Sequence, residues 1–209
     1  MMKKAFAAAV LAAMTMSAQA GVLINEGFDN VASLASNGWL FVSNSTPGGL
    51  TPGWFQGAGV FNAQSGNAAS YAQANYNNAP AGGVIDSWLY TPTFDASLGA
   101  TISFYLRAAG EGYTDQLNFG FVNADGSFTS STRTTVNPVP VDGWTQYSAW
   151  VGAGVLNSTR FAFEYTGAAD TSNAVALDSL TVDVPEPASL ALIAGGLLGL
   201  GAMRRRARR

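Results

Sequence analysis

The chain has 209 residues and a formal net charge of −3, and it contains neither Cys nor His. Those two absences exclude disulfide staples, zinc sites of the usual nitrogen and sulfur type, and Ser-His-Asp or Cys-His catalysis. The charge is unevenly spread: residues 21–183 hold three arginines, no lysine and twelve acids, for a net charge of −9. Such a surface has no basic stripe for phosphates, so nucleic acid is not an expected partner.

In chain order, Lys3 and Lys4 form a basic start, Ala5 to Met16 is an apolar stretch, and Ala18-Gln19-Ala20 fits the small-x-small cleavage rule. Residues 1–20 therefore read as a signal helix for the secretion machinery and signal peptidase. The mature chain is expected to start at Gly21.

Residues 21–183 are the right length for one domain. They contain short alternating runs between turn signals and no long helical period, which predicts strands. The clearest is Thr101 to Arg107, where Ile102, Phe104 and Leu106 share one face. Gln116 to Val122 repeats the pattern with Leu117, Phe119 and Phe121, and Thr159 to Tyr165 repeats it with Phe161, Phe163 and Tyr165. Less regular strands are expected at Val22–Phe28, Trp39–Val42, Ser70–Asn75, Val84–Tyr90, Trp144–Val151 and Ala174–Val182. Asn123-Ala124-Asp125-Gly126 predicts a hairpin turn with Gly126 at positive φ. Asn137-Pro138-Val139-Pro140 predicts a rigid loop. Residues 44–69, rich in Gly, Asn, Ser and Pro, predict a long surface loop over Trp54 and Phe55. Many alternating strands without intervening helices imply an all-β antiparallel sandwich.

Two acids fall in apolar registers. Glu26 shares the alternation of Val22, Ile24 and Phe28, and Asp178 shares that of Ala176, Leu180 and Val182. An inward carboxylate is costly unless paired, protonated or metal-bound. With few arginines available, a structural Ca²⁺ held by Glu26 and Asp178 is one expectation, because hard cations take carboxylate and carbonyl oxygens. A strand-end bulge that turns each acid away is the other. Glu111 and Asp115 flank a turn, but they form a glycosidase pair only if their separation suits it. Tyr71, Tyr76, Tyr90, Tyr105 and Tyr113 either stack sugars or pack the core and its edges.

The last 26 residues read Val184-Pro185-Glu186-Pro187, then the apolar run Ala188 to Met203, then Arg204, Arg205, Arg206, Ala207, Arg208 and Arg209. As a helix, sixteen residues span about 24 Å against a bilayer core of about 30 Å, which is marginal for a permanent anchor. The arginines should stay on the cytoplasmic side, leaving the rest of the chain outside the inner membrane.

This three-part tail resembles the PEP-CTERM sorting signal of exopolysaccharide-producing Gram-negative bacteria. The resemblance implies recognition and cleavage by a membrane-embedded exosortase, and display at the cell surface or in the extracellular matrix. Residues 21–183 also resemble the choice-of-anchor J domain, which is similar to cleaved-adhesin and MAM-like jelly rolls. The matching residues, in order, are Glu26-Gly27-Phe28-Asp29, Gly38-Trp39, Gly53-Trp54-Phe55-Gln56-Gly57, Val60-Phe61, Ala63-Gln64, Asn75-Tyr76-Asn77-Asn78, Asp86-Ser87-Trp88-Leu89-Tyr90-Thr91-Pro92 and Leu177-Asp178-Ser179-Leu180-Thr181-Val182. That likeness implies a jelly-roll β-sandwich without an established activity. In some related jelly rolls a structural Ca²⁺ sits near the terminal strands, where Glu26 and Asp178 lie. The expected organisation is a signal peptide (1–20), a jelly-roll sandwich (21–183) and a sorting signal with a hydrophobic helix (184–209). The expected role is a non-enzymatic surface or matrix protein, with a module binding exopolysaccharide as the alternative and a secreted glycosidase third.

Overall fold

Alternation at the expected positions becomes strand in the computed structural model, which describes residues 20–185. The expected N-terminal signal helix and C-terminal hydrophobic helix lie outside the described residues. The strands are β1 (Ala20–Glu26), β2 (Leu40–Ser43), β3 (Phe55–Gln56), β4 (Ala72–Asn75), β5 (Val84–Tyr90), β6 (Phe94–Asp95), β7 (Ala100–Ala108), β8 (Gln116–Phe121), β9 (Thr134–Val136), β10 (Thr145–Val151), β11 (Ser158–Thr159), β12 (Phe161–Ala168) and β13 (Ala174–Pro185). The helical pieces among the described residues are short 3₁₀ turns at Val31–Asn37, Tyr76–Asn78 and Ala169–Thr171.

Two antiparallel sheets result. One runs β10-β7-β13-β4-β3, with β1 also paired to β13; the other runs β2-β5-β12-β8-β9. A two-stranded ribbon joins β11 to β6. The sheets face each other through aromatic side chains. Phe104 of β7 meets Phe163 of β12 at 4.8 Å and Phe119 of β8 at 4.9 Å, both edge to face. Phe104, Phe119, Phe161 and Phe163 are all buried, which accounts for the alternation on their strands. Aromatic pairs of this geometry add stabilisation beyond the area they bury.

The four strands that the alternation did not indicate, β3, β6, β9 and β11, are only two or three residues long. Alternation needs more positions than that to be visible. At Gly126 the φ angle is +85°, and its N–H donates to Asn123 O at 3.0 Å, so the expected turn forms. The loop expected at 44–69 is broken by β3. It buries Trp54 and Phe61, while Phe55 is half-buried.

The register of β13 departs from the expected alternation. Leu177 pairs with Leu106 and Val182 with Ile102, both facing the core, yet Asp178 pairs with Tyr105. The pairing shifts between Asp178 and Thr181, and Ser179 takes φ +52°. This bulge puts Ala176 and Asp178 on the outer face with Tyr105 and Arg107, and turns Leu180 and Val182 inward. Asp178 is nonetheless wholly buried. Residues 57–70 fold across that outer face, where Phe61, Tyr71, Ala174 and Ala176 form a small second core against Trp144. The Tyr71 hydroxyl accepts from Phe61 N–H at 3.1 Å, and Trp144 Nε1 donates to Asn62 O at 2.9 Å. The Arg107 guanidinium lies 5.3 Å from the centre of the Phe61 ring.

Candidate functional site

Asp178 is held by the loop that covers it. Its Oδ2 accepts from Gln64 N–H at 2.7 Å and Ser65 N–H at 3.2 Å, and its Oδ1 accepts from Ser179 N–H at 2.6 Å. Burial pushes this carboxyl up from its ordinary range, and the three N–H donors pull it partly back. Glu26, at the end of β1, is half-buried, and its Oε1 accepts from Phe28 N–H at 2.7 Å. Burial is the main cause that raises its pKa, with repulsion from Asp29 adding to it. Asp29 in turn accepts from Ser70 Oγ at 2.5 Å, so Asp178 and Asp29 both bond to the covering loop.

The two carboxylates share no hydrogen-bond partner. Both Asp178 oxygens are already met by N–H dipoles whose positive ends point at them. Among the described residues, no three acidic side chains converge on a point that could hold an ion. Asp178 is explained as a buried loop anchor, satisfied by backbone donors.

The five tyrosines separate. Tyr71 is fully buried in the second core, and Tyr105 is half-buried on the outer face of β7. Tyr90 belongs to a groove of about 680 Å³ on the outer face of the five-stranded sheet, with Trp88, Phe128, Arg133 and Glu164. Its groups are largely spent on one another. Trp88 stacks on Tyr90 at 5.5 Å and packs on Phe128 at 4.7 Å, and Arg133 lies over Phe128 and 3.6 Å from Glu164. Tyr90 OH donates to Gly126 O at 3.3 Å, tying the β8–β9 hairpin to the sheet.

Tyr76 and Tyr113 come together elsewhere. They line a cleft of about 810 Å³ at the end of the sandwich where β13 begins, with Leu50, Glu111, Asp170 and Asn173. The two rings are 47% and 48% exposed. The walls are held by backbone and short side chains. Leu50 N–H donates to Asn77 O at 2.8 Å, and Gly49 N–H to Asn78 O at 3.1 Å. A Cβ on Gly49 would collide with the Asn77 carbonyl oxygen, so glycine is required for this close approach. Asp170 accepts from Gly82 N–H at 3.0 Å. Glu111 sits at φ +57°, a left-handed conformation uncommon for a residue with a side chain, and its carboxylate accepts from Asn173 Nδ2 at 3.3 Å.

Glu111 and Asp115 do not form a shared pair on one surface. Asp115 is buried, accepting from the Tyr165 hydroxyl at 2.7 Å and Asn173 N–H at 2.9 Å, whereas Glu111 is exposed. Burial pushes the Asp115 carboxyl up, and burial next to that carboxylate pushes the Tyr165 hydroxyl up as well. The sequence put Tyr76 and Tyr113 in a group of five tyrosines. It gave no sign that loops 47–50 and 169–173 would join them.

Of the other residues singled out in the sequence, Ala20 and Gly21 open β1, and Val184 and Pro185 close β13. Ala18, Glu186, Pro187 and the arginines Arg204 to Arg209 lie outside the described residues. Among the described residues no helix is long and apolar enough to cross a membrane.

Residues 183–206 match the PEP-CTERM protein-sorting motif. No curated protein matches the chain. Among solved structures, the fold is similar to the K3 cleaved adhesin domain of Lys-gingipain from Porphyromonas gingivalis W83, with a TM-score of 0.52 at 17% identity over 78% of this chain and 98% of that one. It is similar also to the K2 cleaved adhesin domain of Lys-gingipain, with a TM-score of 0.51 at 14% identity over 76% and 98% of the two chains. A weaker likeness, TM-score 0.46 at 7% identity over 75% and 97%, is to TmCBM61 in complex with β-1,4-galactotriose. At these identities the likeness concerns the fold alone. The chain thus carries a PEP-CTERM protein-sorting motif behind an antiparallel β-sandwich similar in fold to cleaved adhesin domains.

Proposed function

We propose that this is a non-enzymatic protein of the cell surface or extracellular matrix, exported by residues 1–20 and delivered to an exosortase by residues 184–209. The observation that carries this reading is the sorting motif at 183–206, which starts at Asp183, the last residue of the folded unit. The tail enters the inner membrane, is cut, and releases the sandwich to the exopolysaccharide. Fractionation of the native host with and without its sorting enzyme tests this. The expected result is a surface form lacking the arginines and an uncut form retained in the inner membrane when the enzyme is missing. A surface form whose intact mass still includes Arg209 overturns the reading in favour of a simple anchor.

The end cleft favours a second reading, in which the sandwich holds matrix polysaccharide. Two half-exposed tyrosines and nearby carboxylate and amide groups offer a sugar both ring faces and hydrogen-bond partners. The lining contains two acids and no Lys or Arg. Neutral or amino sugars suit it, and uronates are repelled. Glycan-array binding lost in Tyr76→Ala and Tyr113→Ala supports this reading. Selective binding of uronic acid polymers runs against it.

A further inference from the structure

The opposite end of the sandwich carries apolar groups that the fold leaves uncovered. Trp150, near the end of β10, is 75% exposed, whereas Trp39 and Trp54 are each 3% exposed. Val155 is 59% exposed and Leu98 is 46% exposed. They belong to one patch. A point at a Cβ on Gly152 lies 3.8 Å from the Trp150 ring and 3.9 Å from Val155 Cγ2. The turn bearing Leu98 is bonded to the same loop, with Gly154 N–H donating to Ser97 O at 2.9 Å. Single exposed apolar residues are ordinary, but three together around one loop call for a partner.

The patch lies where the chain leaves the domain. Trp150 pairs with Thr101, and Thr101 pairs with Asp183. The three share the outer face of the sheet, and two strand spacings put Trp150 about 10 Å from Asp183. Four residues, 184–187, separate Asp183 from Ala188, the start of the apolar run. Fully extended, the five steps reach at most about 18 Å. A run too short for a comfortable span draws its flanking residues toward the interface rather than letting them stand off. The charged side chains on the segments forming the patch, Asp95 and Asp183, are both acidic, so anionic lipid is not attracted.

We propose that Leu98, Trp150 and Val155 form a seat on the zwitterionic lipid interface of the inner membrane, used while the tail is embedded and before it is cut. This rests on the reading that the tail enters the membrane. Tryptophan suits such a seat because its ring is apolar and its N–H finds headgroup acceptors. The seated domain points its far end, with the Tyr76–Tyr113 cleft, away from the bilayer. It also holds residues 184–187 at the membrane surface, where a membrane-embedded protease can reach them.

The test uses the full chain in phosphatidylcholine vesicles. Flotation shows whether the chain enters them, and far-UV circular dichroism checks the fold of each variant. Tryptophan emission is recorded with lipids spin-labelled near the headgroup or deep in the acyl chain, for the wild type and Trp150→Phe. The difference between the two reports Trp150. Expected are a blue-shifted difference spectrum, quenched more by shallow than by deep labels, and loss of quenching in Leu98→Ser/Val155→Ser. If the chain floats with the vesicles but Trp150 emits as in water and ignores both labels, the seat is overturned and the tail reading stands. If the chain does not float, both fall. Shielding of Trp150 that appears only when an exosortase is co-reconstituted assigns the patch to a protein partner and overturns the lipid proposal.

Discussion

The two ends of β13 carry opposite chemistry. Asn173, just before the strand, lines a concave cleft with two half-exposed tyrosines and two acids. Asp183, near its other end, neighbours an uncovered apolar patch around Trp150. Nine residues of strand separate them, roughly 30 Å. The cleft end is braced by backbone bonds from Gly49, Leu50 and Gly82, and by the Asn173–Glu111 contact. Preorganised polar groups in a concavity suit a small polar ligand, because little ordering remains to be done on binding. The patch presents exposed apolar side chains, which suit a broad, soft surface. In the proposed reading, one sandwich separates what it meets in the matrix from what it rests on during sorting.

That comparison depends on the sheet between the two ends staying intact, so the largest expected effect is at its anchor. Asp178→Ala leaves the Gln64, Ser65 and Ser179 N–H groups without their acceptor, and should cost about 1–3 kcal/mol of stability in chemical denaturation. The same loss is expected in calcium and in chelator. A calcium-dependent rise in Tm that disappears in Glu26→Gln would return the terminal acids to a metal role.

Acidification probes the buried carboxyls at the same anchor and behind the cleft. Burial raises the folded-state pKa of Glu26, Asp115, Glu164 and Asp178. The folded chain therefore binds these protons more tightly than the unfolded chain. Stability is greatest below the ordinary carboxylate range, falls as pH rises through the window up to the raised folded values, and is flat above it. Asp95 and Asp125 have lowered values and act in the opposite sense, but both are fully exposed. The unfolding midpoint should rise on going from neutral pH toward about pH 5. A midpoint that falls steadily over that range contradicts the sign.

Smaller effects distinguish the two ends. Tyr76→Ala and Tyr113→Ala should each weaken glycan binding by about 1–2 kcal/mol, roughly tenfold, with little change in Tm because both rings are half exposed. Equal weakening by Trp88→Ala would move the site to the outer groove. Smallest of all, Trp150→Ser should change folding stability by less than about 0.5 kcal/mol, as measured by thermal unfolding. A larger loss would mean that Trp150 packs within the domain rather than facing a partner.

The difference in legibility has the same physical origin. Ile102-Phe104-Leu106, Leu117-Phe119-Phe121 and Phe161-Phe163-Tyr165 were readable as strands because a sheet buried on one face repeats every two residues, and the repeat is long enough to see. The sandwich class followed from those runs. The tail was legible for a related reason: its motif, apolar run and arginines are contiguous and need no folding partner to be recognised. Asp178 defeated the same logic. The alternation Ala176, Asp178, Leu180, Val182 assumes an unbroken strand, and a bulge at Ser179 moved the first two to the other face.

By itself, then, the sequence determined the longer strands, the all-β class, the acidic central segment and the sorting tail, since each depends on residues adjacent in the chain. Only the tertiary structure decided that loops 47–50, 110–113 and 169–173 meet around Tyr76 and Tyr113, and that residues 57–70 bury Asp178. It alone placed Trp150 two strands from Asp183. Those arrangements come from pairings between distant segments, set by antiparallel register and loop closure, which no local pattern encodes.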